Sequence, residues 1–181
     1  MASIGDRLQT ARSQRFVGRS DEVERFRTTL TAETLPFHVL HVFGPGGVGK
    51  TELLQAFARC CDEEGHTAYY LDAHDVDPSP EAFRAVLRDA VGGDADASVL
   101  TALDERIGRT ALLIDSYETI DALDGWLRTQ FLPDLPDDAL VVLAGRTEPH
   151  SAWRADSGWG PLVETMPLRN LDGTAGRALL E

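Results

Sequence analysis

The sequence predicts an α/β fold of three layers, with a central, mostly parallel five-stranded sheet and helices on both faces. Three observations predict it. Short apolar runs alternate with longer runs whose apolar residues recur at helical spacing. The short runs are apolar throughout, as expected of parallel strands covered on both sides. A glycine-rich loop joins the first of these runs directly to a helical one, so that the helix N-terminus faces whatever the loop holds.

The elements follow in order. Residues 3–15 read as a short amphipathic helix, and Phe16-Val17-Gly18-Arg19 as a turn. Ser20 is a suitable N-cap for a helix to about Thr31, with Asp21 and Glu22 in the first turn favouring the dipole. Phe37-His38-Val39-Leu40-His41-Val42-Phe43 is rich in strand formers and short enough for a buried strand. After the glycine loop, residues 50–64 form a helix that Gly65 ends. His66–Asp72 is the second strand. A loop with Pro78 and Pro80 leads to a helix over 81–91, and Gly92-Gly93 separates it from another around 95–107.

Thr110-Ala111-Leu112-Leu113-Ile114-Asp115 is an apolar strand closed by a carboxylate. A helix near 118–131 follows, and Pro133 and Pro136 mark the turn into a fourth strand over 140–145. Trp153 and Trp159 are assigned to packing or to an interface. Residues 162–168 give the fifth strand, and 172–181 start another helix. No internal repeat or low-complexity segment interrupts the pattern.

Bulk properties narrow the function. At 43% hydrophobic residues the chain is globular, and no apolar run reaches the ~20 residues that span a bilayer. The N-terminus lacks a signal-peptide core. Cys60 and Cys61 are neighbours on one helix, pointing about 100° apart, and read as reduced thiols in a cytoplasmic protein. With a net charge of −13 and scattered arginines, no basic stripe suits a nucleic-acid backbone. No direct nucleic-acid binding by this segment and no membrane contact are therefore expected.

Lys50 is the only lysine, against sixteen arginines. It closes Gly44-Pro45-Gly46-Gly47-Val48-Gly49-Lys50-Thr51, which fits the phosphate-binding loop G-x-x-x-x-G-K-[ST] in the strand-loop-helix setting the motif needs. The glycines let backbone N–H groups turn inward around phosphate oxygens. A compact ammonium on a flexible stem reaches the β- and γ-phosphates where a planar guanidinium would not fit. The Thr51 hydroxyl is the expected ligand of Mg²⁺. Residues 44–52, through Glu52 in the first turn of the helix, are thus the expected nucleotide contacts.

Asp115, at the end of its strand, has the form of the carboxylate that holds Mg²⁺ through water, the Walker B position. The residue after it is Ser116, which is no base near pH 7. Glu118 has two readings: a hydrolytic base that reaches the γ-phosphate, or a first-turn residue favoured by the helix dipole. Arg146 ends the fourth strand, on the side where ligands collect in open α/β sheets. It reads as a γ-phosphate sensor, or as a surface arginine paired with Glu148. His38 and His41 are assigned to the core or sheet face, and His74 beside Asp72 and Asp75 is a weak metal motif.

Four segments resemble the STAND class of AAA+-related P-loop ATPases: Phe16–Arg19 with the acidic helix after it, the loop Gly44–Thr51, Leu112–Glu118, and Val141–Arg146. Pro167–Leu171 also resembles the passage into that family's helical lid. The resemblance implies an ATP/ADP site, with Val17, Gly18 and Arg19 lining the adenine pocket. It also implies catalytic roles for Lys50, Asp115, Glu118 and Arg146. The sequence departs from the family at Ser116, often acidic there, so hydrolysis is expected to be slow. It ends at Glu181, where the lid would begin.

The expected molecule is therefore one P-loop domain over 1–181, whose first 36 residues are a helical segment carrying the 16–19 turn. Its expected function is that of a signalling switch within a larger protein, with lid and effector domains as partners and a nucleotide-dependent homo-oligomer left open. The alternative is an AAA+ subunit of a ring-forming remodeller or loader.

Overall fold

The computed structural model describes residues 3–15, 18–92 and 98–170. Two helices, α1 (Ile4–Arg15) and α2 (Ser20–Thr31), precede β1 (Val39–Phe43). The glycine loop then feeds α3 (Lys50–Glu63), and β2 (Thr67–Asp72) follows. Next come α4 (Pro80–Val91), α5 (Val99–Asp104) and β3 (Thr110–Asp115). An irregular helical stretch containing α6 (Asp124–Trp126) leads to β4 (Ala139–Gly145), α7 (Ser151–Ala155) and β5 (Val163–Pro167).

The five strands form one sheet in the order β2-β3-β4-β1-β5, and every pairing is parallel. All residues of β3 and β4 are buried, which is why both are apolar without alternation. One core lies under α2 and α3 and contains Phe26, Leu53, Phe57, Leu113 and Val142. The other covers the opposite face and contains Phe83, Leu87, Ile120, Leu143 and Trp153. Strand side chains point alternately to the two faces, so β1 sends Leu40 and Val42 to the first core and Val39 to the second. The chain goes from β1 outward to β2, returns through β3 and β4, and crosses β1 to reach β5. The loop after β1 therefore stands where the strand order reverses, at the carboxyl ends of the strands.

Several expectations are corrected. Ser20 is not the cap of α2: it is the first helical residue, and Arg19 occupies the capping position without a side-chain cap. Ser79 does cap α4, accepting from the Ala82 N–H ahead of Pro80. The expected helix near 118–131 is broken. Tyr117–Leu123 forms a 3-10 stretch kinked at Ile120, and a π-type turn covers Leu127–Phe131. Tyr117, Ile120 and Leu123 are all buried, and their spacing of three is the 3-10 repeat. Asp124 is also buried, its Oδ1 accepting from Tyr117 Oη and Trp153 Nε1, both at 2.8 Å. That pull on Asp124 fixes a geometry a straight helix would not give.

Trp153 is wholly buried, as packing requires, and His41 is 3% exposed with its ring edge-on to Trp153 at 4.9 Å. Cys60 and Cys61 are free and buried. Phe16, Val17, the start of the helix expected at 95–107, Leu171 and the helix expected at 172–181 lie outside the described residues.

Candidate nucleotide-binding site

Gly47 and Gly49 adopt φ of 76° and 98°, which only glycine takes without strain, and the positions their Cβ atoms would fill are open. The loop ends at Gly49, which occupies the N-capping position of α3. Gly44 is needed for another reason: a Cβ there would lie 2.6 Å from the Leu168 carbonyl oxygen. The loop starts pressed against the exit of β5, where the Leu168 N–H donates to Phe43 O at 2.7 Å. Val48 is buried, while Pro45 and Gly46 are exposed at the loop tip.

Lys50 Nζ donates to Gly44 O at 2.7 Å and Pro45 O at 2.9 Å, so the ammonium lies across the loop it serves. Partial burial pulls it below its ordinary pKa, against the opposing pull of the Glu118 and Asp115 carboxylates. Thr51 and Glu52 follow in the exposed first turn of α3.

Thr51 Oγ1 donates to Asp115 Oδ2 at 2.6 Å, which joins the loop helix to the end of β3. Asp115 Oδ1 accepts from the Ser116 N–H at 2.8 Å, and Tyr70 Oη donates to Oδ2 at 2.8 Å. All three donors are neutral, so Asp115 is a buried carboxylate without a hydrogen-bonded cation among the described residues. A hydroxyl and a carboxylate in contact at the mouth of an open glycine cradle are a hard-oxygen pair that fits Mg²⁺ accompanying a phosphate.

Ser116 has φ of 56°, a left-handed conformation in a non-glycine residue at the strand end. The turn carries Glu118 toward β4, where a Cβ on Gly145 would lie 3.4 Å from Glu118 Oε2. Glu118 Oε2 is buried and has no hydrogen-bond partner, whereas Oε1 pairs with Arg146 Nε at 3.2 Å. Glu118 is thus a first-turn residue after β3, and it lines the cavity beside Arg146. The arginine's partner is Glu118 and not Glu148. Its guanidinium reaches within 3.8 Å of the place a Cβ on Gly46 would take. A cavity of about 310 Å³ opens beside this pair, lined by His41, Asp124, Gly145, Glu148 and His150 among others.

Arg19 is buried. Its Nη2 donates to Val48 O at 3.0 Å and Arg169 O at 2.6 Å, and Nη1 pairs with Glu22 Oε1 at 3.0 Å. Here the arginine ties the N-terminal turn to the phosphate loop and to the chain leaving β5. Gly18 precedes it, exposed, with φ of 90°. Val17 lies outside the described residues. His74 Nδ1 lies 3.0 Å from Asp72 Oδ1 at the surface, and no metal-holding group of His, Cys, Asp and Glu forms among the described residues.

Sequence reasoning missed Tyr70, because only the β2–β3 register sets it beside Asp115. It also missed His41 and Asp124 as cavity residues. They belong to separate elements, and no local pattern links them.

Residues 15–178 match the model of the AAA ATPase domain. Among solved structures, the chain is similar to the Aeropyrum pernix ORC1 protein in complex with DNA, at TM-score 0.57 and 18% identity over 93% of this chain and 52% of that one. It is also similar to the replication initiator DnaA bound to AMPPCP and single-stranded DNA, at TM-score 0.52 and 19% identity over 87% and 48%. Domain III of the Thermotoga maritima replication initiation protein DnaA gives TM-score 0.58 and 16% identity over 92% and 70%. At these identities the likeness shows the fold, and the chain spans about half the length of the first two. A search of curated proteins finds no match. No described helix is long and apolar enough to cross a membrane.

Proposed function

The chain belongs to the AAA ATPase domain family, and from that premise we propose that it is the Mg²⁺-dependent, slowly hydrolysing ATP core of a larger nucleotide-controlled assembly. The observation that carries this reading is the contact of Thr51 with Asp115 at the mouth of the open Gly44–Thr51 loop.

Each residue has a task. The loop N–H groups and the start of α3 bind phosphate oxygens. Lys50 exchanges its two carbonyl acceptors for the β- and γ-phosphates. Thr51 and Asp115 would hold Mg²⁺, which when bound neutralises charge developing on the phosphates. Glu118, through its unpartnered Oε2, orients or deprotonates the attacking water. Arg146 leaves Glu118 to contact the γ-phosphate. Gly18 and Arg19, with Val17, shape the adenine end.

The fold likeness to ORC1 and DnaA supports an AAA+ subunit of a loader or remodeller that assembles with copies of itself. The expectation of no direct nucleic-acid binding finds no support among these structures, since the ORC1 structure is a complex with DNA and the DnaA structure is bound to single-stranded DNA. A STAND-type switch is the second reading. It is favoured by Ser116, which leaves no carboxylate directly after Asp115, and by the pairing of Glu118 with Arg146.

Light scattering with ATP or ADP, together with phosphate release, tests the choice. ATP-dependent assembly with turnover above about 1 per second supports the loader or remodeller. A slow monomer supports the switch. Failure to bind either nucleotide would remove both.

A further inference from the structure

Tyr70 sits on β2, an edge strand of the sheet, and is 39% exposed while its neighbours Tyr69 and Leu71 are buried. It lies opposite Leu113 in the register, two positions before the Asp72–Asp115 pair. Its phenol therefore reaches along the strand to the carboxylate. Tyr70 Oη and Thr51 Oγ1 both donate to Asp115 Oδ2, and the Ser116 N–H holds Oδ1. Rotation of the carboxylate would break bonds on both oxygens. The Thr51 hydroxyl keeps lone pairs free for a metal while its proton stays on Asp115, and the bond from Tyr70 is a second, independent constraint on Oδ2.

We propose that Tyr70 is a positioning residue for Mg²⁺: its hydroxyl holds the Asp115 carboxylate in the orientation that meets Thr51 and would face the metal. The proposal rests on Asp115 being the metal carboxylate. A packing role alone is a weak account of the hydroxyl, since the side chain stands at a sheet edge and its polar atom goes to the one carboxylate that meets the loop.

The test is a Mg²⁺ titration of a fluorescent ATP analogue on the whole chain, comparing the parent with Tyr70→Phe and Asp115→Asn. Tyr70→Phe keeps the ring and removes one hydrogen bond. The half-saturating Mg²⁺ concentration should rise roughly three- to tenfold, just below the low end for a hydrogen bond to a charged group because the phenol is partly exposed. Nucleotide affinity in EDTA should not move. An unchanged Mg²⁺ response in Tyr70→Phe, with the response lost in Asp115→Asn, overturns the proposal and leaves the metal site standing. Equal weakening of Tyr70→Phe with and without Mg²⁺ shows a structural role and overturns it too. A parental Mg²⁺ response in Asp115→Asn removes the metal reading itself, and the proposal with it.

Discussion

Arg146 Nε stands 3.2 Å from Glu118 Oε1, a contact that bridges the carboxyl end of β4 and the turn after β3. The two side chains with the clearest claims on a γ-phosphate and its attacking water are thus paired with each other. Arg146 is 67% exposed and Glu118 30%, so the pair is weak enough to open.

Arg146→Ala should weaken ATP relative to ADP. The upper bound is the 1.5–3 kcal/mol of a charged hydrogen bond, reduced by solvent screening. Calorimetry of both nucleotides on both proteins measures the ratio, and an unchanged ratio would deny Arg146 a sensing role. Glu118→Gln should bind ATP normally and lose phosphate release by about 10²-fold or more.

Lys50→Ala should abolish tight nucleotide binding without unfolding the chain, because Lys50 contacts only loop carbonyls and is half-buried. Lys50→Arg should also be impaired, since a planar fork does not fit where a point charge lies across the loop. Titration with a fluorescent ATP analogue decides it, and parental affinity in Lys50→Ala would sink the loop assignment.

Asp115→Asn keeps the shape of the side chain and removes the charge that the metal's shell requires. Nucleotide affinity should become insensitive to added Mg²⁺. Retention of the parent's Mg²⁺ response would return Asp115 to a plain strand-end residue.

Trp153→Phe should cost about 1–3 kcal/mol in denaturant unfolding. It removes one of the two donors to the buried Asp124 Oδ1 and leaves that carboxylate under-bonded. A loss below about 0.5 kcal/mol would mean that water replaces the indole.

Burial holds the His41 imidazole down to about 4, from an ordinary value near 6.5. The unfolded chain therefore takes up a proton between those values and the folded chain does not. Stability from this residue is full above about pH 6.5 and falls as pH drops toward 4, by at most about 3 kcal/mol. His41→Gln cannot titrate there, so its unfolding free energy should fall less than the parent's between pH 7 and pH 5. Parallel pH curves would show that His41 is solvated.

How much was legible follows from how local each signal is. The order of strands and helices, the glycine loop and the strand-end Asp115 were readable because each is written in a contiguous run: an apolar stretch, a glycine pattern, a carboxylate after four apolar residues. The helix expected near 118–131 failed because its path is set by Asp124 reaching Tyr117 and Trp153, a contact between distant elements. Arg146 was placed at the right strand end, but of its sequence neighbours only Glu148 was considered as a partner, whereas the sheet order brings Glu118 to it.

By itself the sequence determined the layered α/β class, the single lysine at the phosphate loop, and the carboxylate poised to meet it. Only the tertiary structure decided which groups surround that carboxylate. Tyr70 reaches Asp115 because β2 pairs with β3 in a particular register. Arg19, just ahead of α2, reaches the carbonyls of Val48 and Arg169, 29 and 150 positions along the chain. The physical reason is that backbone pairing and burial bring distant residues within hydrogen-bond range. Local propensity carries no information about such pairs.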